Sequence, residues 1–174
     1  MIRILLSFLA VAVLLACDSA SASRPGRSAA AQAATTTIYL VRHAEKADGD
    51  DPALTAEGTE RAARLGQLLA DSSLQAVYST DYRRTRQTAG PAAAAHDLAV
   101  QSYDANDPAG FAAALLERHA GQRVLVVGHS NTIPGLAGQL SQTSLQDFAD
   151  DDYGNLLIVK VPSGERGHLH RRRY

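Results

Sequence analysis

The chain has 174 residues, with 17 Lys and Arg against 18 Asp and Glu, a length that fits one domain plus a short appendage and can bury a core without staples. A formal charge of −1 and 5% aromatic residues argue against a nucleic-acid binder, which would carry a basic or base-stacking surface. The 45% hydrophobic content argues against a chain disordered throughout, and a single Cys excludes an intramolecular disulfide framework or a Cys-rich zinc site.

In chain order, residues 1–17 read as a secretory signal: Arg3 is a short positive start, and Ile4 to Ala16 is an apolar run too short for a permanent span. The run closes on Leu14-Leu15-Ala16-Cys17, which looks like a bacterial lipobox with Cys17 as the lipidated residue. An ordinary signal cleaved after Ala20 or Ala22 is the alternative. Residues 18–35 are rich in Ser and Ala without apolar period and read as a flexible tether, with nothing in them to suggest a polybasic membrane patch. The expected product is secreted across the bacterial inner membrane and held by a lipid anchor, facing the periplasm or cell exterior, with residues 36–174 as its domain.

Within that domain, Thr36 to Val41 reads as a buried strand and 44–53 as a loop. Thr55 is placed to cap a helix carrying Leu65, Leu68 and Leu69. Ala76 to Ser79 reads as a strand, and Arg83 to His96 as a helix kinked or interrupted at Pro91. A brief strand at Leu98–Gln101, a helix at Pro108–His119 and the strand Arg123–Gly128 follow. Ile133–Leu140 reads as the last helix, and Leu156–Val161 and Gly167–Tyr174 as a terminal strand pair. Strands alternating with helices predict an α/β domain, a three-layer α/β/α sandwich with a mostly parallel sheet.

Two strands end in histidine, at Arg42-His43 and at Gly128-His129. Ligands of parallel α/β sheets bind at the carboxyl ends of strands, so neighbouring strands bring two such residues together. Either histidine alone reads as an ordinary hydrogen-bonded strand end; two at equivalent positions suggest a site. The stretch Ser79 to Thr88 also follows a strand end and holds Arg83, Arg84 and Arg86. On a helix these cannot all face one way, so at least one is free to enter the crevice.

Four segments carry a resemblance. Leu40-Val41-Arg42-His43-Ala44-Glu45 resembles the RHG signature of the histidine phosphatase superfamily, the phosphoglycerate-mutase-like fold, with Ala44 in place of the usual Gly. Leu54-Thr55-Ala56-Glu57-Gly58 is similar to its LTxxG helix start. Ser79 to Thr88 is similar to its second arginine motif, with the motif arginine at Arg84, and Val124 to Ser130 to its second-histidine motif. The four occur in the family's order.

The resemblance implies a phosphatase in which His43 is the nucleophile, forming a phosphohistidine that water hydrolyses. Arg42, Arg84, His129 and Ser130, with N–H groups at a helix start, would hold the phosphoryl group. The cationic surroundings should lower the pKa of His43. No metal or other cofactor is expected, because the arginines supply the positive charge. Asp104 is the candidate proton donor; Asp107, before Pro108, reads as a helix cap. The substrate would be a small phosphorylated compound or a phosphoprotein, including phosphohistidine. The absence of Asn from Lys46–Asp51 points away from a mutase. Glu45 and Lys46 read as a surface ion pair, with contact to substrate as the alternative, and Asp147 and Asp150 to Asp152 as a solvated loop, with a lining of the cleft mouth as the alternative. Two rival readings are a non-catalytic phospholigand-binding lipoprotein and a serine hydrolase using Ser130 in Gly128-His129-Ser130-Asn131-Thr132, which lacks the second Gly of a nucleophile elbow.

Overall fold

The computed structural model describes residues 34–174. The expected signal at 1–17, Cys17 and the tether as far as residue 33 lie outside the described residues. The elements run β1 (Thr35–Arg42), α1 (Ala56–Leu69), a 3₁₀ turn (Ala70–Ser72), β2 (Ala76–Ser79), α2 (Arg83–Ala94), β3 (Val100–Ser102), α3 (Pro108–Arg118), β4 (Arg123–Gly128), α4 (Thr132–Ser141), β5 (Asn155–Pro162) and β6 (His168–Arg173). The first strand begins one residue before its expected start, because Thr35 is already paired opposite Pro162.

The six strands form one sheet in the order β3-β2-β4-β1-β5-β6. Pairs β2–β3, β2–β4 and β1–β4 are parallel, whereas β5 and β6 add an antiparallel edge beside β1. The central strands read as continuous β-branched and apolar runs because both their faces are covered. Val41, Val77, Leu125 and Val127 meet Leu65, Leu69, Ala89 and Ala92 of α1 and α2 on one face. Ile38, Leu40, Val124 and Val126 meet Leu115, Ile133, Leu136 and Leu140 of α3 and α4 on the other. The result is the three-layer sandwich, each of its two cores formed among the described residues by one face of the sheet and the helices over it.

Two sequence expectations shift. Helix α2 continues through Pro91 and ends at Ala94, where Pro91 packs against α1: a Cβ on Gly66 would lie 2.9 Å from Pro91 Cβ, so the absent side chain lets the helices touch. The third strand starts at Val100 rather than Leu98, because Leu98 is spent on the turn closing α2, its N–H donating to Ala93.

The entry to α1 ties the fold to the cleft. Thr55 caps the helix, its Oγ1 accepting from Gly58 N at 3.1 Å, and Thr55 N donates to the Glu45 carbonyl at 2.9 Å. A Cβ on Gly58 would lie 2.1 Å from that same carbonyl, so only glycine lets the helix abut the loop two residues past His43. Thr55→Ala is expected to cost about 1 kcal/mol of unfolding free energy. Gly58→Ala should cost more, about 2–3 kcal/mol, since backbone must move to admit the methyl. Urea titration followed by circular dichroism measures both.

Candidate active site

The pairing of β1 with β4 sets Arg42 opposite Gly128, so the chains leave the sheet side by side and His43 N still donates to the Gly128 carbonyl at 2.9 Å. The two imidazoles lie edge to face with centroids 5.4 Å apart. They sit in a cleft of about 800 Å³ at the carboxyl ends of the parallel strands, lined by Arg42, His43, Arg84, His129, Ser130 and Asp104 among others. All the residues singled out for phosphoryl chemistry therefore share one cleft.

His43 is 4% exposed. Its Nδ1 lies 2.8 Å from the Ala44 carbonyl, an oxygen that can only accept, so Nδ1 carries the proton and Nε2 keeps a lone pair. Burial, reinforced by the charges of Arg42, His129 and Arg84, pushes its pKa down to about 4 against the bond to Ala44. His129 is likewise pushed down to about 4, by burial and then by Arg84 and Arg42. Its Nε2 is 2.9 Å from Thr80 Oγ1, which donates to Thr85 Oγ1 at 3.1 Å, which in turn lies 2.8 Å from the Thr80 and Tyr82 carbonyls. That chain ends on carbonyls, so each hydroxyl proton runs towards them and His129 Nε2 must be the donor to Thr80.

Arg42 is held by packing rather than by a carboxylate. Its guanidinium donates to the Ala149 carbonyl at 2.8 Å and lies over the Tyr153 ring at 4.2 Å. Arg84 lies over the Tyr82 ring at 4.4 Å, with Asp51 at 3.8 Å. Asp51 also accepts from Arg83 N at 2.8 Å, at the start of α2. Of the three arginines of that segment, Arg84 enters the cleft while Arg83 and Arg86 stay exposed. The Nε atoms of Arg42 and Arg84 are both buried without an acceptor among the described residues. Ser130, Asn131 and Thr132, at the entry to α4, complete the wall. Among the described residues no histidine is bonded to the Ser130 hydroxyl, so the arrangement a serine nucleophile needs is missing there.

Asp104 stands at the rim, exposed, with its Oδ1 accepting from the backbone and side-chain nitrogens of Asn106, each at 2.9 Å. Asp107 caps α3, accepting from Gly110 N at 2.9 Å. The expected pair between Glu45 and Lys46 does not form: Glu45 turns inward to Arg61 of α1, while Lys46 lines the cleft. The acidic stretch is divided, Asp150 lining the cleft and Asp152 pairing with Arg173 at 2.8 Å. Thr80, Thr88, Tyr82 and Tyr153 were not singled out from sequence, yet they set the site. Thr88 Oγ1 accepts from Ala44 N at 2.9 Å and so fixes the turn after His43. A hydroxyl at the sixth position of a helix carries no sequence signal for that task.

Residues 38–105 match the family model described as the histidine phosphatase superfamily, branch 1. An uncharacterized protein of Mycobacterium tuberculosis is 37% identical over 75 residues, which span 38% of this chain and 37% of the relative. The match thus covers little more than a third of that curated relative. Among solved structures, a mycobacterial glucosyl-3-phosphoglycerate phosphatase superposes with a TM-score of 0.66 at 13% identity, over 80% of this chain and 98% of its own. The protein histidine phosphatase SixA, solved with tungstate, gives 0.65 at 17% identity, over 79% and 96%.

The lowered histidine pKa values make a stability prediction. An unfolded chain takes up protons on these groups near pH 6.5, but the folded chain does so only near pH 4. Stability is therefore full above about pH 6.5 and falls as pH drops towards 4, by roughly 3 kcal/mol for His43. Urea unfolding at a series of pH values should show this loss, and His43→Gln should remove about half of the slope between pH 7 and 5.

Proposed function

We propose that the chain is a member of the histidine phosphatase superfamily, whose model matches residues 38–105, and that it is a metal-independent phosphatase acting on phosphomonoesters or phosphohistidine through a covalent intermediate on His43. The observation that carries this reading is the pair of buried guanidinium Nε atoms left without acceptors beside two imidazoles held neutral. A tetrahedral dianion supplies the missing oxygens, and the forked geometry of arginine suits it.

The Nε2 lone pair of His43 attacks phosphorus as the bond to the leaving atom breaks. Nδ1–H stays on the Ala44 carbonyl, which stabilises the charge that develops on the ring. Arg42 and Arg84 hold the equatorial oxygens through the transfer, where positioning and electrostatics supply most of the rate. His129 donates to the same phosphoryl group by exchanging its bond to Thr80 for one to oxygen. Asp104 gives a proton to the leaving group and takes one from the water that cleaves the N–P bond. The phosphatases that superpose on this chain support a phosphorylated small molecule or phosphoprotein as substrate. The apolar run before Cys17 supports an extracytoplasmic, lipid-anchored enzyme.

Hydrolysis of an aryl phosphate by residues 34–174 is expected to persist in EDTA and to vanish in His43→Ala. Arg42→Lys, which keeps the charge but loses the fork, and Arg84→Ala should each lower kcat/KM by about 10²–10³. Activity retained in His43→Ala, or abolished by chelation and restored by a metal, contradicts the reading.

A further inference from the structure

The two faces of the sheet are covered unequally. On the face packed by α1 and α2, the register aligns Arg123, Thr37, Lys160 and His168 in one row. Tyr39, Ile158 and His170 form the next row, and Leu156 lies beside Arg172 in the third. Paired residues share a face. Val41, Leu125 and Leu156 of these rows are buried under the helices, but Arg123, Lys160, His168, His170 and Arg172 are exposed, around the half-buried Tyr39 and Ile158. The helical layer therefore leaves the outer sheet open, as a shallow apolar floor edged with cations.

Most of this charge is unspent. Arg171 and Arg173 point to the opposite face and pair with Asp152, whereas Lys160 and Arg172 make no ion pair with any described residue, and Arg123 has no acid partner among them and gives one bond to the Ser72 carbonyl at 2.9 Å. From Asn155 to Tyr174 the chain carries Lys160, Arg166 and Arg171 to Arg173 against the one acid Glu165, although the whole protein is slightly acidic. A second cavity, of about 460 Å³, opens at the same end of the sheet, lined by Thr35, Thr37, Gln75, Gly121, Arg123 and Lys160. This is the amino end of β1, opposite the catalytic cleft.

The position of this face decides its partner. Residues 1–33 join the domain at Ala34, which sits against Gly121, where a Cβ would come within 2.8 Å of the Ala34 side chain. The cationic row through Thr37 begins three residues further on. Sixteen residues lie between Cys17 and Ala34, and a flexible chain of that length has a root-mean-square reach of about 20–25 Å. An anchor at Cys17 would hold this end of the domain within one domain diameter of a bilayer, where even weak surface attraction acts at high effective concentration. We propose that the open face of β1, β5 and β6 docks on the surface of a bilayer containing anionic phospholipid, laying the strands along the membrane and leaving the catalytic cleft open at their carboxyl ends.

The test uses residues 34–174, so that no anchor contributes, with sedimenting vesicles of pure phosphatidylcholine or with about one third phosphatidylglycerol, in low salt. The expected result is binding to the anionic vesicles alone, at millimolar lipid, reversed by about 0.5 M salt. Lys160→Gln with Arg172→Gln should weaken it about thirtyfold, with melting temperature and aryl phosphate turnover unchanged. Arg86→Gln, at the cleft end, should bind like the unaltered domain. Equal binding to both vesicle types, or binding indifferent to the double change, overturns the proposal. Retention on a soluble polyanion without vesicle binding overturns it too and assigns the face to an acidic macromolecule. Turnover is read separately, so failure of the phosphatase reading leaves this result intact.

Discussion

The parallel register of β1 on β4 is the constraint on which the cleft depends. With Arg42 opposite Gly128, both histidines fall one step past the last paired residues, where the chains are free to turn into the crevice. A slip of one residue would turn every side chain of the strand to the other face of the sheet and carry the histidine out of step with its partner. The register is defended from both sides: Ile38 and Leu40 are wholly buried under α3 and α4, and Val41 under α1 and α2. Two apolar layers thus specify the placement of two polar rings.

Once placed, the rings and the guanidinium groups control one another. Burial removes the water that would stabilise an imidazolium, and Arg42 and Arg84 oppose a further positive charge. The same positive field attracts an anion of phosphate type, so a neutral nucleophile and an anionic electrophile are compatible in one low-dielectric site. The arginines keep their positions without strong carboxylate partners. Arg42 relies on the Ala149 carbonyl and the Tyr153 ring, and Arg84 on Tyr82 with Asp51 at the edge of contact. A tight bidentate carboxylate on either would neutralise the charge the site needs.

The fold and the core of this arrangement were legible in the sequence because they rest on local pattern. Strand runs ending in His43 and His129, Thr55 as a cap, and the alternation of strand and helix follow from short-range rules. What escaped depends on long-range placement. Glu45 meets Arg61 and not its neighbour Lys46, because α1 folds back over the loop. Ala149 lies 107 residues from the arginine it holds. Leu68, expected to belong to the apolar stripe of α1, is 44% exposed, since the stripe is carried instead by Gly58, Ala62, Leu65 and Leu69. The cationic face is written across three strands, Arg123, Lys160 and Arg172, and becomes one surface only when their register is known.

The most direct measurement of the central claim is to quench the reaction with an aryl phosphate within milliseconds in alkali and map the phosphorylated peptide by mass spectrometry. The account predicts one phosphoryl group on His43, stable in alkali and lost in acid, that forms and decays at rates matching turnover. A phosphoryl group on another residue, or turnover with no phosphoenzyme at any time, would contradict it.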